Sequence, residues 1–253
     1  LNATILSTDG YWNGSNGYDI KGTSFSSSNN PDGAINKYST REDVTIEGSS
    51  SISNYTPSGG SLADVAMYYY ANNIRSTYPK NSNGTDVSTS NVFPRDPSSD
   101  SIEKDTNTSP HMNTFTISLG LNGFMSYDKD YDSISNLNPK AMDFKYVGVY
   151  QSPTVPFSSK AAIGNDNYCS WNKGSACNWP APVADSASAI DDLWHAAVNG
   201  RGHYYSAQNP QDIVTGIKDA LDRAAKGSSA GSAAASTSPK LTTGEIRVEG
   251  FSE

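Results

Sequence analysis

The alternation of two kinds of apolar pattern along the chain is the feature that most limits how it can fold. Short β-branched or alternating stretches predict strands, and apolar residues spaced three or four apart predict amphipathic helices. The predicted strands are 1–8, 113–121 and 202–206, and the predicted helices are 61–74, 188–198 and 210–226. Because strand and helix alternate, we expect an α/β fold with a parallel sheet and helices on its faces.

Local capping signals support the predicted helices. Ser61 with Asp64 three residues later forms a capping-box pattern, Asn209 precedes Pro210, and Gly200 follows the second helix. The residues expected to face inward are Leu62, Val65, Ala66 and Tyr69 in the first helix, Ile190, Leu193, Trp194 and Ala197 in the second, and Ile213, Ile217, Ala220, Leu221 and Ala224 in the third.

Long polar insertions separate these elements, at about 11–60, 75–109 and 122–187. Connections of this length are unusual and often functional. The sequence predicts one α/β domain over 1–226, a small-residue linker over 227–240, and the start of a following β domain over 241–253.

The charge balance and the polar composition limit the choice of partner and location. The 253 residues include 26 acidic and 18 basic side chains, which give a formal net charge of −8. An acidic chain is a poor match for nucleic acid. No apolar run approaches the length of a membrane span. The surface, rich in serine, threonine and asparagine, favours an extracytoplasmic location.

The two cysteines, Cys169 and Cys177, are open to three interpretations: free thiols, half of a metal site, or a disulfide. A metal site would need further cysteine or histidine ligands nearby, and none occurs there. We therefore predict a disulfide, which also suits an extracytoplasmic protein.

Asp9 is the strongest candidate ligand, because it directly follows the first predicted strand. Ligands of open α/β sheets bind at the carboxyl ends of the strands. The alternative is a turn aspartate before Gly10. A hard cation requires about six oxygens, so Asp9 can supply only part of a site. We expect no tightly bound cation in this chain alone.

The acidic run Asp128, Asp130 and Asp132 also suggests calcium. A calcium loop of the EF-hand type needs glycine at position six and glutamate at position twelve, where this chain has Ser133 and Pro139. A solvated acidic loop is the preferred interpretation.

The histidines and tryptophans offer weaker candidates. His111, His195 and His203 lack a third ligand at zinc spacing, and no GxSxG nucleophile motif is present, so we expect structural histidines and no catalytic residues. Trp194 is expected in the core. Trp171 and Trp179 could form an exposed aromatic recognition surface or pack on the disulfide.

The order of motifs resembles the second half of a von Willebrand factor A domain. Four segments are similar, more narrowly, to the PilC/PilY family of type IV pilus biogenesis and tip proteins. They are TDGYWNG at 8–14, SLADVAMYYY at 61–70, PHMNTFTISLGLNG at 110–123, and WPAP followed by DDLWHAAVNGRG within 179–202.

The resemblance implies a cell-surface, pilus-tip or outer-membrane location, and minor or major pilins or a surface or host ligand as partners. In the resembled domain the strand order is 3-2-1-4-5-6, so the strand ending at Thr8 is interior. The domain's DxSxS metal loop belongs to the first half, which we expect before Leu1. With that half present, the resemblance implies Mg²⁺ or Ca²⁺ at a site that includes Asp9. The open edge of the first strand is expected to lie against that missing half or a neighbouring subunit.

Together these features predict a non-enzymatic biogenesis and adhesion module that presents loops on a von Willebrand A-like scaffold. One alternative is a secreted A-domain adhesin unrelated to pili. A secreted hydrolase is the other, and would need a nucleophile, a base and an orienting group in contact.

Overall fold

The computed structural model describes residues 2–32, 49–50, 58–73, 83, 105, 107, 109–132, 143–144, 150–151 and 179–225. The strands are β1 (Ala3–Thr8), β2 (Ser49–Ser50), β3 (Asn113–Leu119), β4 (Tyr150–Gln151) and β5 (Arg201–Ala207). The helices are α1 (Leu62–Ala71), α2 (Ser188–Asn199) and α3 (Pro210–Ala225). Cys169, Cys177, Trp171 and the segments predicted as a linker and a following domain lie outside the described residues.

The central sheet has the order β1-β3-β5, and both pairings are parallel. Ala3 lies opposite Asn113 at one end of the first pair, and Thr8 lies opposite Ser118 at the other. The prediction of an α/β fold with a parallel sheet is therefore confirmed. β2 and β4 form a separate antiparallel pair.

β3 is the central strand of the described sheet and is buried on both faces. Phe115 and Ile117 face one side, and the polar side chains that alternate with them donate hydrogen bonds to backbone carbonyls. Thr116 donates to the Leu193 carbonyl at 2.9 Å, and Ser118 donates to the Leu121 carbonyl at 2.6 Å. The strand ends at Leu119 rather than at the predicted 121, because the next residue, a glycine, turns the backbone to a positive φ of 74°.

An aromatic core fills the space between the sheet and α2. Trp194 stacks on Tyr204 and Phe144 with ring centroids 5.4 Å from each, and Tyr131 meets it edge-on at 4.9 Å. The four inward residues predicted for α2 are buried, as expected. Every other residue of α2 is buried as well, including its polar side chains.

α3 covers the opposite face of the sheet and differs from the prediction. Its buried residues are Gly216, Ala220 and Ala224, which pack on Phe115 and Tyr205. The prediction that Ile217 and Leu221 face inward is wrong, since they are 41% and 55% exposed. The small side chains let the helix approach the sheet closely, which turns the larger apolar residues outward.

α1 begins as the capping pattern predicts: Ser61 accepts from the Asp64 amide, and Asp64 accepts from the Ser61 amide. Its inward residues are Ala63, Ala66, Met67 and Tyr70. Of the residues predicted to face inward only Ala66 is buried; Leu62, Val65 and Tyr69 are partly exposed. The helix is rotated by about one residue because its N-terminus is fixed by α2.

The close pairing of β3 and β5 gives a test of the fold. A Cβ on Gly202 would overlap the backbone of Thr114 and Phe115. We expect Gly202→Ala to lower the free energy of opening of β3 by about 1–3 kcal/mol. The matched control is Gly10→Ala, because a Cβ there meets no atom within 4 Å. Native-state amide exchange of residues 113–119 measures the difference, and equal values for the two variants would contradict the packing described.

Candidate functional site

The carboxyl edge of the sheet gathers the features that a binding site in this fold requires. Here β1 and β3 end and α1 and α2 begin. A cavity of about 530 Å³ opens between β1, the loop after it, α1 and α2. Ligand pockets commonly have volumes of about 300–1,000 Å³. The lining is mainly apolar from Leu6, Leu62, Val65 and Leu193, with polar groups from the loop after β1.

Asp9 lies at this edge, exposed, but it is not among the residues that line the cavity. The Thr8 hydroxyl closes the turn beside it by bonding the carbonyl and the amide of Gly10. Within the described ranges, no three aspartate, glutamate, histidine or cysteine side chains are grouped so that they could hold a metal ion. The residues described here therefore do not fit a cation by themselves, and a role of Asp9 in metal binding stays a prediction.

Asp192, in the first turns of α2, holds the N-terminus of α1. Its carboxyl oxygens accept the amides of Leu62 at 2.8 Å and Ala63 at 3.2 Å. The first amides of a helix have no partner within the helix and carry partial positive charge, so a carboxylate there stabilises it. One buried side chain thus fixes the position of α1 against α2.

Asp191 holds the loop that follows β3. It accepts the amides of Phe124 at 2.8 Å and Met125 at 3.0 Å. A Cβ on Gly123 would overlap the Asp191 carboxyl group, so only glycine permits this approach. The two adjacent aspartates, which we call the anchoring carboxylates, therefore fix two different segments at the carboxyl edge.

Asn199, at the other end of α2, joins a third segment to the helices. Its amide nitrogen donates to the Ala63 carbonyl and to the Asp32 carboxyl group, both at 3.0 Å. Asp32 belongs to the segment after β1, which the sequence predicted as a long loop. Described to residue 32, this segment packs on α1, with Phe25 buried against Tyr68 at 5.4 Å.

Burial dominates the electrostatics of this region. It raises the pKa of Asp191 and of Asp192 to about 7, although the backbone amides that each accepts oppose the shift. Burial also lowers the pKa of His195 to about 3, which keeps the imidazole neutral. Buried groups like these have strong effects on stability.

The three histidines lie in separate surroundings. His195 stacks on Trp179 at 4.4 Å, and His203 stacks on Tyr131 at 4.8 Å. His111 contacts the Asp105 carboxylate through Nε2 at 2.9 Å and the Ser109 carbonyl through Nδ1 at 2.6 Å. The hydrogen bonds with Asp105 and Ser109 outweigh burial and raise the pKa of His111.

In the acidic run after β3, one aspartate is exposed to solvent and another forms an ion pair with a helix. Asp130 is exposed and pairs with Lys129 at 2.7 Å, while Asp128 accepts the Asp130 amide at 2.9 Å. Asp132 differs from the predicted solvated loop, because it pairs with Arg223 of α3 at 3.1 Å. The run ties the loop to α3 at one end and remains solvated at the other.

The hypothesis that Trp179 forms an exposed recognition surface is wrong. Its side chain is 6% exposed and lies between His195 and the aromatic core. A tryptophan in a loop of a polar chain gave no periodic signal of burial, so the sequence alone could not place it.

Comparison with known proteins identifies the relatives of this chain. It is 28% identical over 87% of its length to the type IV pilus biogenesis factor PilY1 of Pseudomonas aeruginosa strain PAK, and 27% identical over 87% to that of strain PAO1. It is also 28% identical over 92% of its length to the same factor of strain UCBPP-PA14. The chain is a PilY1 relative. It spans 15–17% of the length of these curated relatives.

The predicted resemblance to the PilC/PilY family is therefore confirmed. No protein-family model matches the chain, and no solved structure matches it. In the described residues, no helix has the length and apolar character needed to cross a membrane.

These contacts give a structural role to the polar residues of the segment DDLWHAAVNGRG, one of the four on which the resemblance to the PilC/PilY family depends. Sequence reasoning missed Asp191, Asp192 and Asn199, because the residues that it predicted to face inward on this helix were all apolar. The sequence did contain one signal for these contacts: polar residues are frequent in a helix that was expected to pack in the core. Their partners are backbone amides and carbonyls, which leave no pattern in the sequence.

The anchoring role of Asp191 is tested by its removal. We expect Asp191→Ala to lower the free energy of opening of residues 121–126 by about 1.5–3 kcal/mol, the range for hydrogen bonds to charged groups. Asp130→Ala, an exposed carboxylate of the neighbouring turn, is the control and should change it little. Amide exchange of that loop is the measurement, and an unchanged loop in Asp191→Ala would contradict the assignment.

The raised pKa values predict how stability depends on pH. An unfolded aspartate has a pKa of about 3.9, so folding takes up protons at Asp191 and Asp192 between about pH 4 and pH 7. Their contribution to stability is therefore greatest below pH 4, falls as the pH rises to about 7, and is constant above. Replacing both with asparagine should flatten the pH profile of unfolding in that window; an unchanged slope would contradict it.

Proposed function

We propose that this chain is the second half of a von Willebrand A-like domain in a PilY1-type protein, and that it presents its loops at the cell surface as part of a type IV pilus assembly. Its role is in pilus biogenesis and adhesion at the pilus tip, with pilins as partners. The observation that carries the proposal is the sheet, in which three parallel strands in the order β1-β3-β5 correspond to strands 4, 5 and 6 of the resembled domain.

The outer edge of β1 supports the view that the sheet continues. In the described part of the chain β1 pairs only with β3, and its other edge has no strand beside it. Parallel strands are normally buried on both faces. Ile5 and Leu6, which point to opposite faces, are each 37% exposed.

The cavity beside β1 is apolar as well, and it begins at Leu6. α3 also exposes a row of apolar side chains at helical spacing, Val214, Ile217 and Leu221. A further parallel strand with a helix on each face would cover both faces of β1, and the first half of the resembled domain would supply these elements.

The loops at the carboxyl edge are the parts available to a partner. The anchoring carboxylates hold two of their segments in fixed positions, which favours presentation of a defined surface. The relatives are named pilus biogenesis factors, which favours a pilus role over the alternative of an unrelated adhesin.

The proposal is tested in cells that produce the full-length protein. Leu6→Asp with Ile5→Asp places charges on both faces of β1, so we expect loss of surface pili and loss of co-purification with pilins. The control is Lys218→Glu, an exposed residue of α3 outside the carboxyl-edge loops, which should leave both unchanged. Normal piliation and normal pilin capture by the β1 variant would contradict the proposal.

A further inference from the structure

Three carboxyl groups lie together in the interior between the segment after β1, α1 and α2. Asp32, Asp64 and Asp192 are each at most 2% exposed. Among the described residues, no lysine or arginine forms an ion pair with any of the three. Carboxylates sealed from water without a cation cannot all be ionised.

The hydrogen bonds show which of the three carries the proton. Asp192 accepts two amides of α1, and Asp64 accepts the amides of Gly60 at 2.6 Å and Ser61 at 3.1 Å. Asp32 accepts only from Asn199, on Oδ2, and its Oδ1 is buried with no donor. Asp32 is therefore the group that is least stabilised as an anion.

The acceptor for this proton is Asp64. Asp64 Oδ1 lies 3.5 Å from the Asp32 amide, which brings the two residues together, and two carboxyl groups can form a hydrogen bond only when one of them is protonated. Burial, followed by the charge of Asp64, raises the pKa of Asp32 to about 8. His195 Nε2 lies 3.3 Å from Asp32 Oδ2 but forms no hydrogen bond with it.

The start and middle of the segment that Asp32 belongs to are attached independently of Asp32. Tyr11 packs on the aromatic core, the Trp12 carbonyl accepts the Asp185 amide at 3.1 Å, and the Gly17 amide donates to the Gly60 carbonyl at 3.4 Å. Phe25 packs on Tyr68, and Gly17 lies against Val65 so closely that a Cβ there would overlap its side chain. The Asp32 amide also reaches Asp64 Oδ1 at 3.5 Å. The Asp32–Asp64 contact thus fixes the end of the described segment to α1.

We propose that Asp32 and Asp64 form a proton-operated latch, in which a shared proton holds the end of the segment 11–32 against α1 and its loss releases that end. This inference is independent of the pilus assignment, because it rests on contacts within the chain alone. It makes the position of the end of this segment dependent on the surrounding pH.

The direction of the pH effect follows from linkage. In the open segment Asp32 meets water and its pKa returns to about 3.9, so opening releases a proton between about pH 4 and pH 8. The opening equilibrium therefore rises about tenfold per pH unit across that window and is constant above it.

The test is amide exchange of residues 16–32 in the full-length protein between pH 5 and pH 8, expressed as protection relative to an unstructured peptide at the same pH. We expect the protection of the wild type to fall more steeply than that of Asp32→Asn, by about tenfold per pH unit. Asparagine can donate to Asp64 at every pH, so that variant stays closed. Asp64, Asp192 and His195 are present in both proteins, so the difference between the two profiles reports the titration of Asp32 together with its coupling to Asp64.

Asp222→Asn, an exposed aspartate of α3, is the matched control and should follow the wild type. Equal pH dependence in the wild type and Asp32→Asn would overturn the latch, and so would loss of protection in folded Asp32→Asn at all pH values. If Asp32→Asn does not fold, the test compares the pH dependence of protection of two segments within the wild type. Protection of residues 16–32 that falls more steeply with pH than that of residues 113–119 supports the latch, and parallel profiles overturn it.

Discussion

The structure depends on buried polar side chains of α2 that bind the backbone of other segments. Asp191, Asp192 and Asn199 each replace the water that backbone amides or carbonyls would otherwise bind. A buried hydrogen-bonding group without a partner costs about 1–3 kcal/mol, so these contacts are needed wherever loops enter the interior. They let a chain with a modest apolar content hold long polar segments in place.

This arrangement separates the parts of the chain that must stay constant from those that can vary. The helix and the central strand supply the apolar core through Trp194 and Phe115 and the polar contacts through one short motif. The loop after β3 reaches Asp191 with only the amides of Phe124 and Met125 and with Gly123, which has no side chain to interfere.

The order and type of the central strands and of the three helices could be predicted from the sequence, because β3 and the helices have clear periodicity and α1 has its own cap. The short strands β2 and β4 were not predicted. Ser61 and Asp64 form the predicted capping box, and α2 buries the predicted residues. Which residues of α1 and α3 face the core was harder to predict. In α3, Gly216 and Ala220 face the sheet while Leu221 faces solvent, because close approach of the helix outweighs the burial of larger side chains. Trp179 and the anchoring carboxylates depend on contacts between distant segments, which no local pattern records.

The central proposal is that β1 is an interior strand of a larger sheet that includes the three described parallel strands. Amide exchange of residues 3–8 in the full-length protein tests it most directly, because only a second neighbour protects the amides of β1 that point away from β3. The account predicts that all amides of residues 3–8 are protected to an extent comparable to those of β3. Exchange at the rate of an unstructured peptide by the amides that point away from β3, with the other amides of β1 still protected, would contradict it.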